Sequence, residues 1–245
     1  MTYRQWAFAI YMCLTNLKGV SSMKLHRDLG VSQPTAWFML HRIREAWGYE
    51  PEEFEGPIEV DESHFGGLKE NMPMSKRGKV AGRGAGGRSV VVGVKDRATK
   101  RVGAKVIASK DAATLKGFVE SHCAPGTKVY TDDFPSYRGL ENHEVVKHSG
   151  QEYVNEQVHT NGVESFWSML KPGYHGVYHH MIWKHLQRYA NEYAGRHNLR
   201  NMDTLDQIRD VVGRAGRQAA AVARPDERGS HLSLLVGRQE LDEHG

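Results

Sequence analysis

Apolar residues recur at helical spacing early in the chain and then give way to alternation. Residues 4 to 17 are apolar-rich and free of Pro and Gly, which predicts a buried helix. A short second helix fits Met23 to Leu29. Gly30-Val31-Ser32 then makes a turn, and Ser32 is suited to cap a third helix from Gln33 to about Trp47. Pro34 falls in the first turn of that helix, where its missing N–H costs little. Leu25, Leu29, Val31, Ala36 and Leu40 would lock the helices together, so residues 1–48 read as a helix-turn-helix region.

Beyond Gly48-Tyr49-Glu50-Pro51 the period shortens. Residues 57 to 65 alternate and end at Gly66-Gly67, as a strand entering a turn does. Ser89 to Lys95 and Arg101 to Ala108 are valine-rich strands joined by a hairpin turn over Asp96 to Lys100. Asp111 is placed to cap a helix running to about His122. Lys128 to Asp132 forms a short strand and Glu144 to Lys147 a weaker one. From Thr160 to Lys171, Val163, Phe166, Trp167 and Leu170 share one helix face, and Pro172-Gly173 is expected to stop that helix. Helices follow from about Trp183 to Ala194 and from about Asp203 to Ala221, and a weakly ordered tail begins at Arg224. Strands alternating with helices make this an α/β chain.

Composition narrows the class without naming it. A hydrophobic share of 39% and a charged share of 25% over 245 residues suit a globular chain with a sizeable core. No run of eighteen apolar residues occurs, which argues against a membrane span, and the start lacks the layout of a secretory signal. Cys13 and Cys123 are too few and too far apart for a disulfide framework or a zinc site, so a cytoplasmic home is expected. The four histidines His175, His179, His180 and His185 match no zinc spacing either. A net charge of +4 and a pI near 9.0 favour anionic partners. The charge is concentrated in residues 69 to 88, where Lys69, Lys76, Arg77, Lys79, Arg83 and Arg88 stand against Glu70 alone, as in a basic loop.

Three acids carry candidate chemistry. Asp61 lies in the first strand, Asp132 ends the fourth and Glu164 lies on the late helix. Breaking a phosphodiester calls for a clamp on the attacking and leaving oxygens, which two Mg²⁺ ions about 3.5–4 Å apart provide. Mg²⁺ takes a few carboxylates together with water and substrate phosphate. Successive strand side chains point to opposite faces, so Asp61 and Glu62 cannot both face one metal, and Asp133 is better placed to cap the turn that follows Asp132. Asn161, Glu164, Ser168 and Lys171 would form a polar strip opposite Val163, Phe166 and Trp167.

Val60-Asp61-Glu62 with Gly66-Gly67, Tyr130-Thr131-Asp132, and the run His159-Thr160-Asn161-Gly162-Val163-Glu164-Ser165-Phe166-Trp167-Ser168 resemble the blocks of bacterial DDE-type insertion-sequence transposases. Lys171 to Gly176, His185 to Tyr189 and Gly195 to Asn198 also match the ISXO-like group, whose longer members carry an amino-terminal zinc ribbon that this sequence does not show. The resemblance runs from about residue 4 to residue 200. It implies a ribonuclease-H-like mixed five-stranded sheet flanked by helices over roughly residues 57–200, preceded by the helical region and followed by a C-terminal helix and tail over residues 201–245. It further implies Mg²⁺ or Mn²⁺ (two ions) as cofactor, DNA ends and target DNA as partners, and an assembly of at least two copies. Asp61 and Asp132 match the first two metal-binding acids of the group. Its third position takes Glu, Asn or His, and Glu164 is favoured over Asn161 because a carboxylate binds Mg²⁺ better than an amide does.

Expected DNA contacts are Gln33, Thr35, Arg42 and Arg44 on the third helix, Lys76, Arg77, Lys79 and Arg83 in the basic loop, and Lys171. Two other functions fit the same residues. One is a non-transposing nuclease or junction resolvase on the same fold, and the other a DNA-binding protein without catalysis.

Overall fold

The structure, a computed structural model, describes residues 1–48, 53–66, 74, 88–146, 161–179 and 181–223. Its centre is a sheet of β1 (Ile58–Phe65), β2 (Ser89–Asp96), β3 (Val102–Ile107), β4 (Val129–Thr131) and β5 (His143–Val145), in the order β3-β2-β1-β4-β5. The first three strands form an antiparallel meander, whereas β4 runs parallel to β1 and β5 parallel to β4. This is the mixed, ribonuclease-H-like sheet expected from the sequence. β5 starts one residue earlier than expected and ends two residues earlier.

Both faces of the sheet are covered. Ile58, Val60, Val90, Val92 and Val94 pack on one side against Leu115, Phe118 and Val119 of α4 (Ala112–Glu120). Phe65, Val91 and Ala104 pack on the other against Val163, Phe166, Trp167 and Leu170 of α5 (Asn161–Gly173) and Leu186 and Ala190 of α6 (Trp183–Leu199). A strand buried on both faces needs apolar side chains at every step, and β2 accordingly reads as a near-continuous valine run.

The amino-terminal helices are α1 (Tyr3–Thr15), α2 (Ser22–Leu29) and α3 (Gln33–Trp47). Thr2, Ser21 and Ser32 cap them, each hydroxyl accepting from the backbone N–H three residues on. Gly30, at φ 63°, makes the left-handed turn between α2 and α3. Their core is completed from elsewhere in the chain, by Leu199 of α6 and by Ile208 and Val211 of α7 (Thr204–Ala223).

Three expectations are corrected by packing. Arg44 does not face solvent: its Nε donates to Glu192 Oε2 at 2.7 Å, its side chain is 1% exposed, and its guanidinium lies over the Tyr189 ring. Glu192 is fully buried and also takes Arg196 at 3.5 Å, with Cys13 and Tyr178 as further donors. This charge network pins α1 and α3 to α6, and it removes Arg44 from the candidate phosphate contacts. Pro172 does not stop α5 either; the helix runs through it to Gly173 and continues as a π-helical turn over Tyr174–Tyr178. Pro172 and Ser168, whose carbonyl a residue with an N–H would have bonded, are both exposed, so water can satisfy that carbonyl. Finally, α6 continues past Ala194 to Leu199, where it feeds the amino-terminal core.

The outer edge of the sheet is closed by side chains. Asn198 accepts from Val102 N–H at 2.8 Å and donates to Val102 C=O at 3.0 Å. Gln187 accepts from Val106 N–H at 2.7 Å and donates to Ala104 C=O at 2.9 Å. Two amides on one helix thus stand in for the sixth strand that β3 lacks.

Candidate active site

Asp61 and Glu62 point to opposite faces of β1. Asp61 looks towards α5, where its Oδ2 accepts from Trp167 Nε1 at 2.9 Å while Oδ1 accepts from Glu62 N–H at 2.8 Å. Glu62 looks towards α4; it takes Lys110 Nζ at 3.1 Å and the Tyr137 hydroxyl. Alternation along the strand therefore separates the two acids as their spacing requires.

Asp132 follows β4. The parallel pairing of Ile58 with Val129 and Glu59 with Tyr130 brings the end of β4, and Asp132 just beyond it, alongside the Asp61 segment of β1. The two carboxylates feel each other. Burial pushes the Asp61 carboxyl up to about 6, the hydrogen bonds from Glu62 and Trp167 oppose that rise, and the charges of Glu62 and Asp132 add to it. Asp132, not Asp133, caps the next turn: its Oδ1 accepts from Phe134 N–H at 3.2 Å, while Asp133 is exposed. That turn leads into the 3₁₀ turn Pro135–Tyr137. Tyr137 is held well above the usual tyrosine range by burial and by the charges of Glu62, Asp132 and Asp61.

The start of α5 is clamped to the sheet by two buried charges that the sequence reading missed. Glu59 Oε2 accepts from Val163 N–H at 3.0 Å, and its Oε1 takes Arg97 Nε at 2.7 Å. Arg97 in turn lies over the Tyr130 ring. A carboxylate at a helix N-terminus meets unpaired N–H groups and the positive end of the dipole. Lys95 donates to Gly162 C=O and Ser165 Oγ, both at 2.9 Å. Gly162 is glycine for a reason: a Cβ there would come within 2.5 Å of Glu59 Oε2. Gly93 likewise leaves room for the Trp167 ring.

On α5, Val163, Phe166, Trp167 and Leu170 are buried and Glu164, Ser168 and Lys171 are exposed, as the helical period predicts. Glu164 and Lys171 stand two turns apart on a row beside Trp167, the residue that bonds Asp61. His64 of β1 is held below the usual histidine range, first by burial and then by the charges of Lys110 and Arg88, with Lys171 adding a little. Glu164 is not drawn into contact with Asp61 and Asp132, and among the described residues no three His, Cys, Asp or Glu side chains converge as a metal cluster would. Asn161 begins α5, but its side chain lies outside the described atoms. So do Lys76, Arg77, Lys79 and Arg83 of the basic loop and the tail from Arg224.

The remaining expected DNA contacts sit on α3. Arg42 is exposed and paired with Glu45 at 2.8 Å. Gln33 donates to Ser22 Oγ at 3.0 Å and Thr35 shares its hydroxyl with Ser32 at 2.8 Å, so both are engaged within the helical turn. His185 packs on Trp37 and His41, a structural place for one member of the histidine group.

A mixed five-stranded sheet of this order, covered by helices on both faces, is the ribonuclease-H-like fold. Residues 53–198 match the ISXO2-like transposase domain, and the chain belongs to that family of insertion-sequence transposases. An uncharacterised protein in transposable element ISH50 of Halobacterium salinarum is 30% identical over 183 residues, covering 69% of this chain. The aligned part makes up 60% of that relative's length. No described helix is long and apolar enough to cross a membrane.

Proposed function

We propose that the chain is a DNA transposase that cuts and rejoins phosphodiesters at Asp61 and Asp132, with Glu164 completing the site. The observation that carries this is an Asp61 carboxylate turned towards α5, with Asp132 just beyond the strand parallel to it and near enough for its charge to bear on Asp61. The donor set is anionic and all oxygen, and repulsion from Asp132 adds to the cost of ionising Asp61, so the pair suits a hard cation. Mg²⁺ or Mn²⁺ bound there, as one ion or two, would supply positive charge for the phosphodiester oxygens and a water of lowered pKa.

The protein's own groups then have distinct tasks. Trp167 and the Glu62 N–H each hold one Asp61 oxygen, which fixes the plane of that carboxylate. The Phe134 N–H does the same for Asp132. Glu59 and Lys95 set the position of α5 and hence of Glu164; Asn161, at the head of the same helix, is the other candidate for that third place. In the cutting step a water oxygen attacks phosphorus in line, the P–O bond to the 3′ oxygen breaks, and a 3′-hydroxyl is freed. In strand transfer that hydroxyl attacks a target phosphodiester, forming one P–O bond and releasing another 3′-hydroxyl. No protein–DNA covalent bond is needed.

Arg42 on α3, the exposed Lys171 on α5, and Lys76, Arg77, Lys79 and Arg83 on charge alone would carry the DNA, with at least two copies of the chain bringing two ends together. Strand nicking in Mn²⁺ tests the reading. Asp61→Asn and Asp132→Asn should each abolish nicking while DNA affinity stays within about twofold of wild type. A mutant that still cuts at the wild-type rate refutes the assignment.

A further inference from the structure

The outward row of α3 is Pro34, Phe38 and Arg42, with Trp37 beside it. Phe38 is 44% exposed and Trp37 39%, although both lie in the first half of the second helix of a helix–turn–helix pair. Side chains that would offer hydrogen bonds from this helix are engaged elsewhere. Gln33 is held by Ser22, Thr35 by the Ser32 cap, and Arg44 is buried against Glu192. The aromatic pair is also braced from behind. The Trp37 ring rests on His41 at 4.0 Å between centroids and on His185 at 5.5 Å, and the Arg42 guanidinium lies over Phe38 at 5.7 Å. The surroundings are basic: apart from the buried Arg44, residues 1–48 hold five exposed Lys and Arg against two acids. Both acids are already paired, Asp28 with Lys24 and Glu45 with Arg42 and Arg188. A rigid apolar knob in a cationic rim complements a polyanion with apolar points on it.

Double-stranded DNA offers one such point in its major groove, the thymine 5-methyl group. We propose that α3 reads DNA through thymine methyls, with Phe38 as the contacting side chain, Trp37 as its flank and Arg42 on the adjacent phosphate. This rests on α3 being the helix that enters DNA. Each methyl moved from water into such a contact is worth about fourfold in affinity.

The test uses the full chain and a duplex selected from a random-sequence pool for tight binding. Its affinity is compared with that of the same duplex carrying uracil at every thymine, which removes only the methyls. Wild type and Phe38→Leu should bind the uracil duplex at least fourfold more weakly, whereas Phe38→Ala should bind both duplexes equally. Equal affinity of wild type for the two duplexes overturns the proposal, as does a Phe38→Ala variant that still discriminates. Arg42→Gln separates this failure from failure of the underlying reading, since it should weaken binding to both duplexes alike and lower the salt slope by about one. If Arg42→Gln and Phe38→Ala both leave affinity unchanged, α3 is not the DNA helix at all. If Phe38→Ala lowers the sedimenting mass and uracil has no effect, the face belongs to a second copy of the chain, and the methyl readout is refuted.

Discussion

Gly162→Ala is the sharpest probe of how α5 is held, because the direction of its effect depends on the clamp. In an ordinary helix the change stabilises by up to about 1 kcal/mol. Here the added Cβ would sit 2.5 Å from Glu59 Oε2 and 3.0 Å from its Cδ. The Glu59 side chain is 2% exposed and cannot swing into water. Moving it strains the bond to Val163 N–H, of the charged kind worth about 1.5–3 kcal/mol, and the buried pair with Arg97. After the gain in helix propensity, a net loss of about 2–4 kcal/mol remains. At about 2–4 °C per kcal/mol for a chain of this size, Tm should fall by about 4–16 °C in calorimetry. Once Glu59 is shortened the extra methyl has room, so Glu59→Ala/Gly162→Ala should be no less stable than Glu59→Ala alone. A Gly162→Ala protein that melts at or above the wild-type temperature would refute the clamp.

Breaking the buried Arg44–Glu192 pair by Arg44→Met should cost about 3–5 kcal/mol in urea unfolding, far more than Arg42→Met on the exposed side of the same helix. A mild effect would mean that the network does not hold α3 to α6. Stability should also depend on pH. His41 is lowered to about 3, first by burial and then by Arg44, His185 and Arg188, and His197 to about 4 by burial, Arg200 and Lys95. Both are neutral when folded and take up protons more readily when unfolded, so their contribution is complete above about pH 6.5. It declines below that pH, by about 1–2 kcal/mol per group at pH 5, and levels off near the folded values. A flat stability profile between pH 7 and pH 5 would contradict this. In nicking assays Glu164→Gln should reduce the rate far more than Asn161→Ala, and the reverse ranking would move the third place to Asn161.

Much of this was legible because it was local. Ser32 and Gly48 bracket α3 within the residues that form it, and the alternation of β1 separates Asp61 from Glu62 without outside help. What escaped depends on partners far away in sequence. Arg44 looks like a surface cation until Glu192, 148 residues on, is seen beneath it. Glu59 and Lys95 drew no notice as charged residues within strands, yet both are buried because this sheet is covered on both faces. Their signal was present in two forms: charged residues inside otherwise apolar strands, and a glycine in the first turn of α5 where any other residue would favour the helix. Pro172 misled because its effect depends on whether the carbonyl it deprives is wet, which the sequence does not record.

The amide seal on β3 has a consequence in time as well as in space. Gln187 lies 81 residues beyond Val106 and Asn198 lies 96 residues beyond Val102. A chain growing at about 5–20 residues per second exposes that strand for roughly 4–16 s before its cover has even been made. A terminated or stalled chain lacking α6 is thus a sheet with an open, valine-flanked edge, able to recruit the strands of its neighbours. Once α6 docks that route is shut, and a second copy cannot extend the sheet across β3.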